Sequence, residues 1–466
     1  MTVLLTDDTT FDLSFPAIVV GAGGTGLAAA LALRDAGVDV LVIERDPTPL
    51  GSTAMSTGLI PAAGTPEQAA AGIDDSAERF ADDIMAKTKG KTDRAMALRL
   101  AEESADTVAW LRDVHAVPLT LVDGFLYPGH SARRMYGTPG RSGGQLMAAM
   151  ESAAEQAGVI VLTDASVEML HVAGQAVTGV RIRRPDGALE DIGCDALILA
   201  CSGFGGNSKL IERWIPEMAG AVFHGHPGNK GDALAWGEAM GAAMADLSAY
   251  QGHGGLAAGH GVPILWPLIM EGGFQVNKAG ERFSNEAAGY SEQAAKVNAQ
   301  ADHVAWSIFD DRLHQLMCQF EDYRDALEAG AVVEAADVDA LAAATGLPLD
   351  ALSQTLADVA AMVQGERTDP FGRDFSGKPV LAAPYRAAKV TGALFHTQGG
   401  LVIDADARVL ASDGAPMPNL FAGGGAARGI SGPGADGYMA GNGLLTATTL
   451  GKLAGRAAAR QLNASN

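Results

Sequence analysis

The chain has 466 residues, of which 48% are hydrophobic and 19% charged, enough for two domains or one large domain with an insertion. Its net charge of −22 opposes binding to a phosphate backbone, so we expect no nucleic-acid partner. Three cysteines without CxxC spacing predict no disulfide framework, metal site or attached haem, and they favour a cytoplasmic protein. The N-terminus does not resemble a signal peptide, and no apolar run predicts a transmembrane segment.

The first predicted elements form a βαβ unit in residues 16–46. Gly21, Gly23 and Gly26 form GxGxxG between the first strand and the helix, where glycine permits a tight turn and close approach of a pyrophosphate. Glu44 follows the second strand and is expected to accept hydrogen bonds from ribose hydroxyls. The predicted strands are residues 18–20 and 40–43, and the predicted helix between them is residues 26–36. This pattern predicts a dinucleotide site.

The rest of the chain continues in the α/β style around an insertion. A helix at 144–158 precedes strands within 159–200, which a Pro-Asp-Gly turn joins into a β-meander. Amphipathic helices and scattered aromatic residues mark an inserted α+β cap domain, and strands then return before a final Gly/Ala-rich helix. The fold class is therefore α/β, a Rossmann-like domain with a parallel sheet, a β-meander and an inserted cap. The predicted domains are residues 1–228, 229–380 and 381–466.

The segment that follows the βαβ unit is rich in small residues, which let backbone amides approach a bound ring closely. Residues 51–65 resemble the flavin-contacting segment of the fumarate reductase/succinate dehydrogenase flavoprotein superfamily, and residues 196–206 and 419–427 resemble its other two FAD segments. In the covalently flavinylated branch a histidine stands where this chain has Ser52, so we expect non-covalent FAD. The resemblance implies FAD contacts at Gly21, Gly23, Gly24, Gly26, Glu44, Arg45, Gly51, Ser52, Thr53, Ser56, Thr57, Gly58, Val167, Gly203, Gly424, Asn442, Leu444 and Leu445.

Reductases of this superfamily hold a dicarboxylate with two histidines and two arginines. His253 in AYQGHGG and His396 in FHTQGG match the histidine segments. GERFSNE, residues 280–286, resembles the lead-in to the arginine that delivers a proton, but that arginine's position holds Tyr290. In GPGADGYMAGNGLL, Tyr438 replaces the second arginine. Both guanidinium positions are therefore phenols.

A phenol does not clamp a carboxylate, since it is neutral and becomes a base only when its pKa, about 10 in water, is lowered. The site is therefore expected to bind a neutral carbonyl compound. The 3-ketosteroid dehydrogenases of the same superfamily also carry a tyrosine after this segment. ISGPG resembles their turn that holds the substrate ketone through a backbone amide, matching at Gly432 and Gly434 and departing at the tyrosine of that turn, where this chain has Ile430 or Ser431.

The predicted function is an FAD-dependent dehydrogenase that introduces a C=C bond α,β to a ketone, either a 3-ketosteroid or another cyclic ketone. The resemblance implies that Tyr290 takes the α-proton, that FAD N5 accepts the β-hydride, and that an external, quinone-like acceptor reoxidises the flavin. The backbone amide of Gly434 is expected to polarise the carbonyl, with help from Tyr438 or His396. The expected catalytic residues are Tyr290, Tyr438, His396, His253 and Gly434.

Two other functions fit the same sequence. The first is an ene-reductase of the fumarate or urocanate reductase type, and the second is a non-catalytic flavin-binding protein. A guanidinium inside the pocket, from Arg428 or Arg134, would again favour a carboxylate substrate. Tyr127 is a further tyrosine that could line the pocket. For Tyr127 and for each of the expected catalytic side chains, the alternative is a purely structural role in packing.

Overall fold

The computed structural model describes residues 3–5, 10–122, 124 and 126–465. The strands, in chain order, are β1 (Val3–Leu5), β2 (Leu13–Val20), β3 (Val40–Ile43), β4 (Ile60–Pro61), β5 (Thr120–Val122), β6 (Met135–Gly137), β7 (Ile160–Leu162), β8 (Ser166–Ala173), β9 (Ala176–Arg183), β10 (Leu189–Leu199), β11 (Val222–Phe223), β12 (Met244–Ala245), β13 (Tyr250–Ala257), β14 (Phe274–Val276), β15 (Val304–Asp310), β16 (Val332–Ala335), β17 (Tyr385–Thr397), β18 (Gly400–Leu401), β19 (Arg408–Leu410) and β20 (Pro416–Ala422).

The helices are α1 (Gly24–Asp35), α2 (Gly51–Ala54), α3 (Pro66–Ala70), α4 (Ala77–Lys87), α5 (Arg94–Asp113), α6 (Gly143–Gln156), α7 (Ser208–Trp214), α8 (Asp232–Met240), α9 (Pro267–Met270), α10 (Tyr290–Asn298), α11 (Asp311–Met317), α12 (Glu321–Glu328), α13 (Val338–Thr345), α14 (Leu349–Val363) and α15 (Asn442–Ser465). Short 3₁₀ turns lie at Pro216–Met218, Glu286–Ala288, Ala301–His303 and Gly424–Ala426. None of the described helices has both the length and the hydropathy needed to cross a membrane.

The chain forms two compact units. Unit 1 consists of Met1–Leu210, Gly225–Tyr250 and His396–Asn466, and unit 2 consists of Ile211–His224 and Gln251–Phe395. Each has its own buried apolar core. The two units can therefore be described separately.

The main sheet of unit 1 contains the predicted βαβ unit. Strand β2 pairs in parallel with β3 and β10, β3 pairs in parallel with β7, and β20 pairs in parallel with β10. Strands β8, β9 and β10 form the antiparallel meander. Buried apolar side chains such as Ile18 and Val42 line the central strands, as expected where helices cover both faces of a parallel sheet. The predicted α/β class is confirmed.

Unit 2 combines an antiparallel-rich sheet with helices. Strand β17 pairs in antiparallel fashion with β15 and β16, and β15 pairs in the same way with β14. The amphipathic pattern of residues 336–363 forms α13 and α14, which bury Leu341 and Leu352 in the core of this unit. Aliphatic residues at helical spacing therefore serve packing here.

The units divide the chain at residues other than the predicted boundaries 228–229 and 380–381. Residues 211–224 group with unit 2, where β11 pairs with β17. Residues 225–250 group with unit 1, where β12 pairs with β18. These pairings join segments that are distant in sequence, and local composition does not reveal them.

Candidate functional site

The glycines of the GxGxxG motif are required by the local backbone. Gly21 has φ +101°, and a Cβ at this position would lie 2.7 Å from the carbonyl oxygen of Ala200. A Cβ on Gly26 would overlap the carbonyl oxygen of Gly21. Helix α1 begins at Gly24, directly after this turn, so its positive N-terminal end faces the place where a pyrophosphate is expected. The loop is therefore shaped as a phosphate-binding turn.

Glu44 is tied to that turn by its carboxylate. Oε2 accepts the backbone N–H of Ala22 at 2.8 Å, and Oε1 accepts the backbone N–H of Asp46 at 3.0 Å. Each carboxylate oxygen keeps a second lone pair for a ribose hydroxyl. The neighbouring Arg45 lies 4.0 Å from Asp232. Its Nε is buried and has no hydrogen-bond partner among the described residues.

The predicted flavin segment begins with the short helix α2, which contains Gly51, Ser52 and Thr53. The Thr53 hydroxyl accepts the backbone N–H of Gly24 at 3.2 Å, joining this segment to the phosphate turn. The Ser52 hydroxyl oxygen accepts the Asn229 amide at 2.9 Å. Thr57 is exposed, whereas Gly58 is buried with φ +66°. The Ser56 hydroxyl accepts the backbone N–H of Gly58 at 3.1 Å.

The other predicted cofactor residues also lie in unit 1. Val167 is half-buried in β8, and Leu445 is buried near the start of α15, next to the half-buried Leu444. A Cβ on Gly203 would overlap the Thr397 hydroxyl. Gly424 has φ +56° and begins a 3₁₀ turn. These positions are consistent with close approach of a ligand to the backbone.

Asn442 provides a direct test of whether the site fits a cofactor. Its side chain is completely buried, and neither its amide nitrogen nor its amide oxygen has a hydrogen-bond partner among the described residues. A buried amide without partners costs about 1–3 kcal/mol, so such groups ordinarily meet a ligand or water. Asn442 is the first residue of the 24-residue helix α15, whose N-terminus favours a negatively charged or polar ligand. The residues therefore fit FAD.

We predict that Gly26→Ala abolishes FAD retention. The added methyl would collide with the Gly21 carbonyl, which belongs to the backbone and has no alternative rotamer. Separating helix from strand is expected to destabilise the fold by about 1–3 kcal/mol or more. The ratio of flavin to protein absorbance after gel filtration, together with a thermal melt, measures both effects. Gly124→Ala is the control, because a Cβ there meets no described atom within 4 Å. Stoichiometric FAD in Gly26→Ala would contradict this account.

His396 and Tyr438 are brought together in unit 1. Their ring centroids are 5.6 Å apart with an interplanar angle of 81°. Nδ1 of His396 accepts the side-chain N–H of Gln398 at 2.7 Å. Burial lowers the pKa of His396 to about 4, so the imidazole is neutral at neutral pH. The pair consists of a neutral imidazole beside a buried phenol.

Both polar groups of this pair approach one point at the start of α15. A Cβ placed on Gly443 would lie 2.8 Å from Nε2 of His396 and 3.7 Å from the Tyr438 hydroxyl. A side chain at Gly443 would collide with Nε2, so glycine is required here and the start of α15 packs closely against His396. Gly434 has φ +80°, and its carbonyl oxygen accepts the backbone N–H of Tyr250 at 3.3 Å.

His253 and Tyr290 are brought together in unit 2. Their ring centroids are 5.3 Å apart, and His253 stacks on Phe395 at 5.1 Å. Nδ1 of His253 accepts the backbone N–H of Gly255 at 3.1 Å, so the proton of the neutral ring is on Nε2. Burial lowers the pKa of His253 to about 3. This histidine is therefore a neutral donor beside the tyrosine.

Tyr290 is the first residue of α10. Gly289, directly before it, has φ +150° and ψ 154°, a combination open essentially to glycine alone. A Cβ on Gly289 would also collide with the carboxylate of Glu292. The helix N-terminus favours negative charge on groups in the first turn. Tyr290 is half-buried, which leaves part of its ring accessible.

The GERFSNE segment builds a buried charge network that precedes this tyrosine. Arg282 contacts both oxygens of Glu286, at 3.0 and 2.8 Å, and Asp369 at 2.6 Å. Arg373 contacts Glu286 at 3.1 Å and donates its backbone N–H to Asp369 at 2.7 Å. The four side chains are at most 5% exposed. Two positive and two negative groups thus balance one another and fix the turn that leads into α10.

We predict that Glu286→Gln lowers the free energy of unfolding by about 3 kcal/mol or more, because it leaves two buried guanidinium groups with one carboxylate. Chemical denaturation followed by tryptophan fluorescence measures this change. Glu281→Gln makes the same substitution at an exposed position of the same segment and is expected to be neutral within about 0.5 kcal/mol. Equal stability of the two variants would show that the network is not structural.

The two arginines that could have restored carboxylate binding are already engaged in unit 1. Arg428 donates from Nε to Asp246 at 2.7 Å. Arg134 is fully buried and contacts Asp75 at 2.8 Å and Asp83 at 2.6 Å. A substrate carboxylate would compete with these partners. Tyr127 is half-buried, and burial raises its pKa to about 12, so it stays a neutral phenol.

Sequence reasoning missed several neighbours of the predicted residues. Phe395 stacks on His253, and the ring of Trp266 lies 6.3 Å from that of Tyr290. Gln398 bonds to His396 and in turn accepts a hydrogen bond from Ser431 at 3.1 Å. Gln398 stands two residues after His396 in the FHTQGG motif, so its position was an available signal, whereas no local signal placed Phe395 against His253. Trp266 carried no such signal.

Comparison with known proteins identifies the family of this chain and several similar proteins. A family model for the FAD binding domain matches residues 17–444. NADH:fumarate oxidoreductase of Klebsiella pneumoniae (strain 342) is 29% identical over 451 residues, which is 96% of this chain and 48% of that protein. The chain thus spans about half the length of this curated relative.

Two solved structures are similar over nearly the whole chain. The open conformation of a flavocytochrome c3 fumarate reductase has a TM-score of 0.83 and 27% identity, covering 97% of this chain and 79% of that one. The 3-ketosteroid-Δ4-(5α)-dehydrogenase from Rhodococcus jostii RHA1, in complex with 4-androstene-3,17-dione, has a TM-score of 0.75 and 26% identity, covering 97% of this chain and 98% of that one.

Proposed function

This chain belongs to the FAD binding domain family and is a flavoprotein oxidoreductase, and on that premise we propose that it dehydrogenates a neutral ketone to the α,β-unsaturated ketone. The superfamily and the FAD cofactor predicted from the sequence are confirmed. The proposed substrate class is a cyclic ketone, 3-ketosteroids included. The proposed mode of FAD binding is non-covalent, because Ser52 offers a hydroxyl where a covalent link would need a nucleophilic ring nitrogen.

The observation that carries the proposal is the position of Tyr290, at the start of α10 with its ring 5.3 Å from that of His253. A general base for an α-proton must be deprotonated, and a phenol has a pKa of about 10 in water. The helix N-terminus favours negative charge on Tyr290, and the neighbouring imidazole of His253 is neutral and carries its proton on Nε2. We assign the removal of the α-proton to Tyr290 on this ground.

His396 and Tyr438 are assigned to the carbonyl oxygen. Enolisation places negative charge on that oxygen, and donors already oriented toward it stabilise the charge by about 2.7–4 kcal/mol each. Nε2 of His396 and the Tyr438 hydroxyl lie near one point beside Gly443, at the positive end of α15. The backbone amide of Gly434 is the third proposed donor. Neutral donors suit an uncharged ketone, because they carry no fixed charge that would demand a carboxylate.

FAD, when bound, supplies the acceptor for the two electrons that leave with the β-hydrogen. Gly21, Gly26 and Glu44 would hold its dinucleotide part, and Asn442 would meet a polar group of the cofactor. The α-proton passes to Tyr290 and from there to solvent. An external, quinone-like acceptor is proposed to reoxidise the enzyme after each turnover.

An ene-reductase is the second candidate, since the similar proteins named above include an NADH:fumarate oxidoreductase and a flavocytochrome fumarate reductase. The direction of reaction separates the two functions. The holoenzyme is incubated with a saturated cyclic ketone and a quinone-like dye, and separately with fumarate and a reduced viologen. The dehydrogenase proposal predicts dye reduction and a product two mass units lighter than the ketone. Viologen oxidation by fumarate without any ketone oxidation would support the reductase instead.

A further inference from the structure

Gln398 occupies the variable position of the FHTQGG motif and contacts the catalytic candidate directly. Its side-chain nitrogen lies 2.7 Å from Nδ1 of His396 and 3.5 Å from Nε2, so its N–H donates to the nearer nitrogen, Nδ1. The carbonyl of Thr397 lies farther from the same nitrogen, at 3.4 Å. The shorter contact decides the protonation, because a proton on Nδ1 would face the amide N–H of Gln398. Nδ1 is therefore the acceptor.

Ser431 and the surrounding backbone hold Gln398 in this orientation. The Ser431 hydroxyl donates to the side-chain oxygen of Gln398 at 3.1 Å, so the amide nitrogen is turned toward His396. The backbone of Gln398 is held on both sides, since its N–H donates to Ala249 at 2.8 Å and its carbonyl accepts from Gly429 at 2.8 Å. Gln398 and Ser431 are 5% and 1% exposed. A buried amide with both ends bonded cannot turn without losing hydrogen bonds.

We propose that Gln398, anchored by Ser431, is a positioning residue that fixes His396 as the Nε2–H tautomer. This inference rests on the proposed function and deepens it, because Nε2 is the ring nitrogen on the side of Gly443 and the Tyr438 hydroxyl. The opposite tautomer would present a lone pair there and repel the carbonyl oxygen of a ketone. Gln398 thereby makes His396 a hydrogen-bond donor toward the substrate. A neutral carbonyl oxygen is a hydrogen-bond acceptor and matches this donor.

The tautomer is measured by long-range ¹H–¹⁵N NMR of ¹⁵N-histidine-labelled holoenzyme, with the signals of His396 assigned by their loss in His396→Leu. The proposal predicts an unprotonated Nδ1 and a protonated Nε2 in the wild type. A protonated Nδ1 would overturn it without any variant. Gln398→Glu keeps the shape of the side chain but replaces the donor by an acceptor, so it is expected to move the proton to Nδ1. An unchanged tautomer in Gln398→Glu would also overturn the proposal.

Kinetics separates this inference from the proposed function. Gln398→Glu is expected to lower kcat for a ketone about 10²-fold, the effect of losing one donor to the developing oxyanion. The exposed Gln354→Met is the control and is expected to keep wild-type activity. If no ketone is turned over while the tautomer changes as predicted, the proposed function fails and the role of Gln398 stands. If ketone turnover is the same in Gln398→Glu and the wild type, the positioning role fails and the proposed function stands.

Discussion

Tyr290→Phe is expected to lower turnover of a ketone about 10²–10⁴-fold while FAD remains bound, because it removes the base and retains the ring. The aromatic contacts with His253 and Trp266 are made by the ring and should persist. Stopped-flow measurement of flavin reduction isolates the chemical step. A deuterium label at the α-carbon adds a second readout, since exchange of that label with solvent should disappear in the variant.

Tyr323→Phe is the matched control for this experiment. Tyr323 is another tyrosine of unit 2 with a histidine partner, His314, at 2.9 Å. It lies outside the proposed machinery, so its phenylalanine variant is expected to keep turnover within about twofold and to lose about 1 kcal/mol of stability for one hydrogen bond. If Tyr290→Phe behaved like Tyr323→Phe, the assignment of the base would be wrong.

His396→Leu is expected to lower kcat about 10²–10³-fold with little change in FAD binding, because it removes a donor from the carbonyl oxygen. His396→Gln carries a neutral amide donor and should restore part of the loss, which a purely structural histidine would not explain. Equal activity of the two variants would contradict the donor role. Steady-state kinetics with one ketone and one dye compares all three proteins.

The pH dependence gives an independent check on the same residue. Burial lowers the pKa of His396 to about 4, so protonation occurs only as the pH falls toward that value. The neutral donor is therefore fully present above about pH 5, and wild-type activity should show no loss from this group between about pH 5 and pH 7.

The βαβ unit with its glycine turn could be predicted from the sequence because its signals are local. Gly21, Gly26 and Glu44 lie within one βαβ unit, and hydrophobic periodicity places strand, turn and helix in order. Strand β2 begins earlier than the predicted 18–20, at Leu13, and helix α1 begins at Gly24 rather than at Gly26. Such differences at the ends of elements follow from tertiary hydrogen bonds, which the pattern does not encode.

The substrate half was only partly readable, because its contacts join distant segments. The GERFSNE segment was interpreted by its resemblance to a catalytic lead-in. The structure adds that Arg282 and Glu286 form a buried network with Asp369 and Arg373. Arg282 bonds to Asp369 and Arg373 bonds to Glu286, and each of these two contacts joins residues 87 positions apart in the sequence. The stacking of His253 on Phe395 and the bond from Ser431 to Gln398 likewise depend on the fold. No spacing rule predicts these pairs.

Anaerobic titration of the holoenzyme, followed by flavin absorbance, best separates the proposed dehydrogenase of uncharged ketones from an enzyme that acts on dicarboxylates. The account predicts that a saturated cyclic ketone or a 3-ketosteroid bleaches the flavin in the wild type and not in Tyr290→Phe, and that succinate leaves the spectrum unchanged. Faster bleaching by succinate than by every ketone would contradict the account.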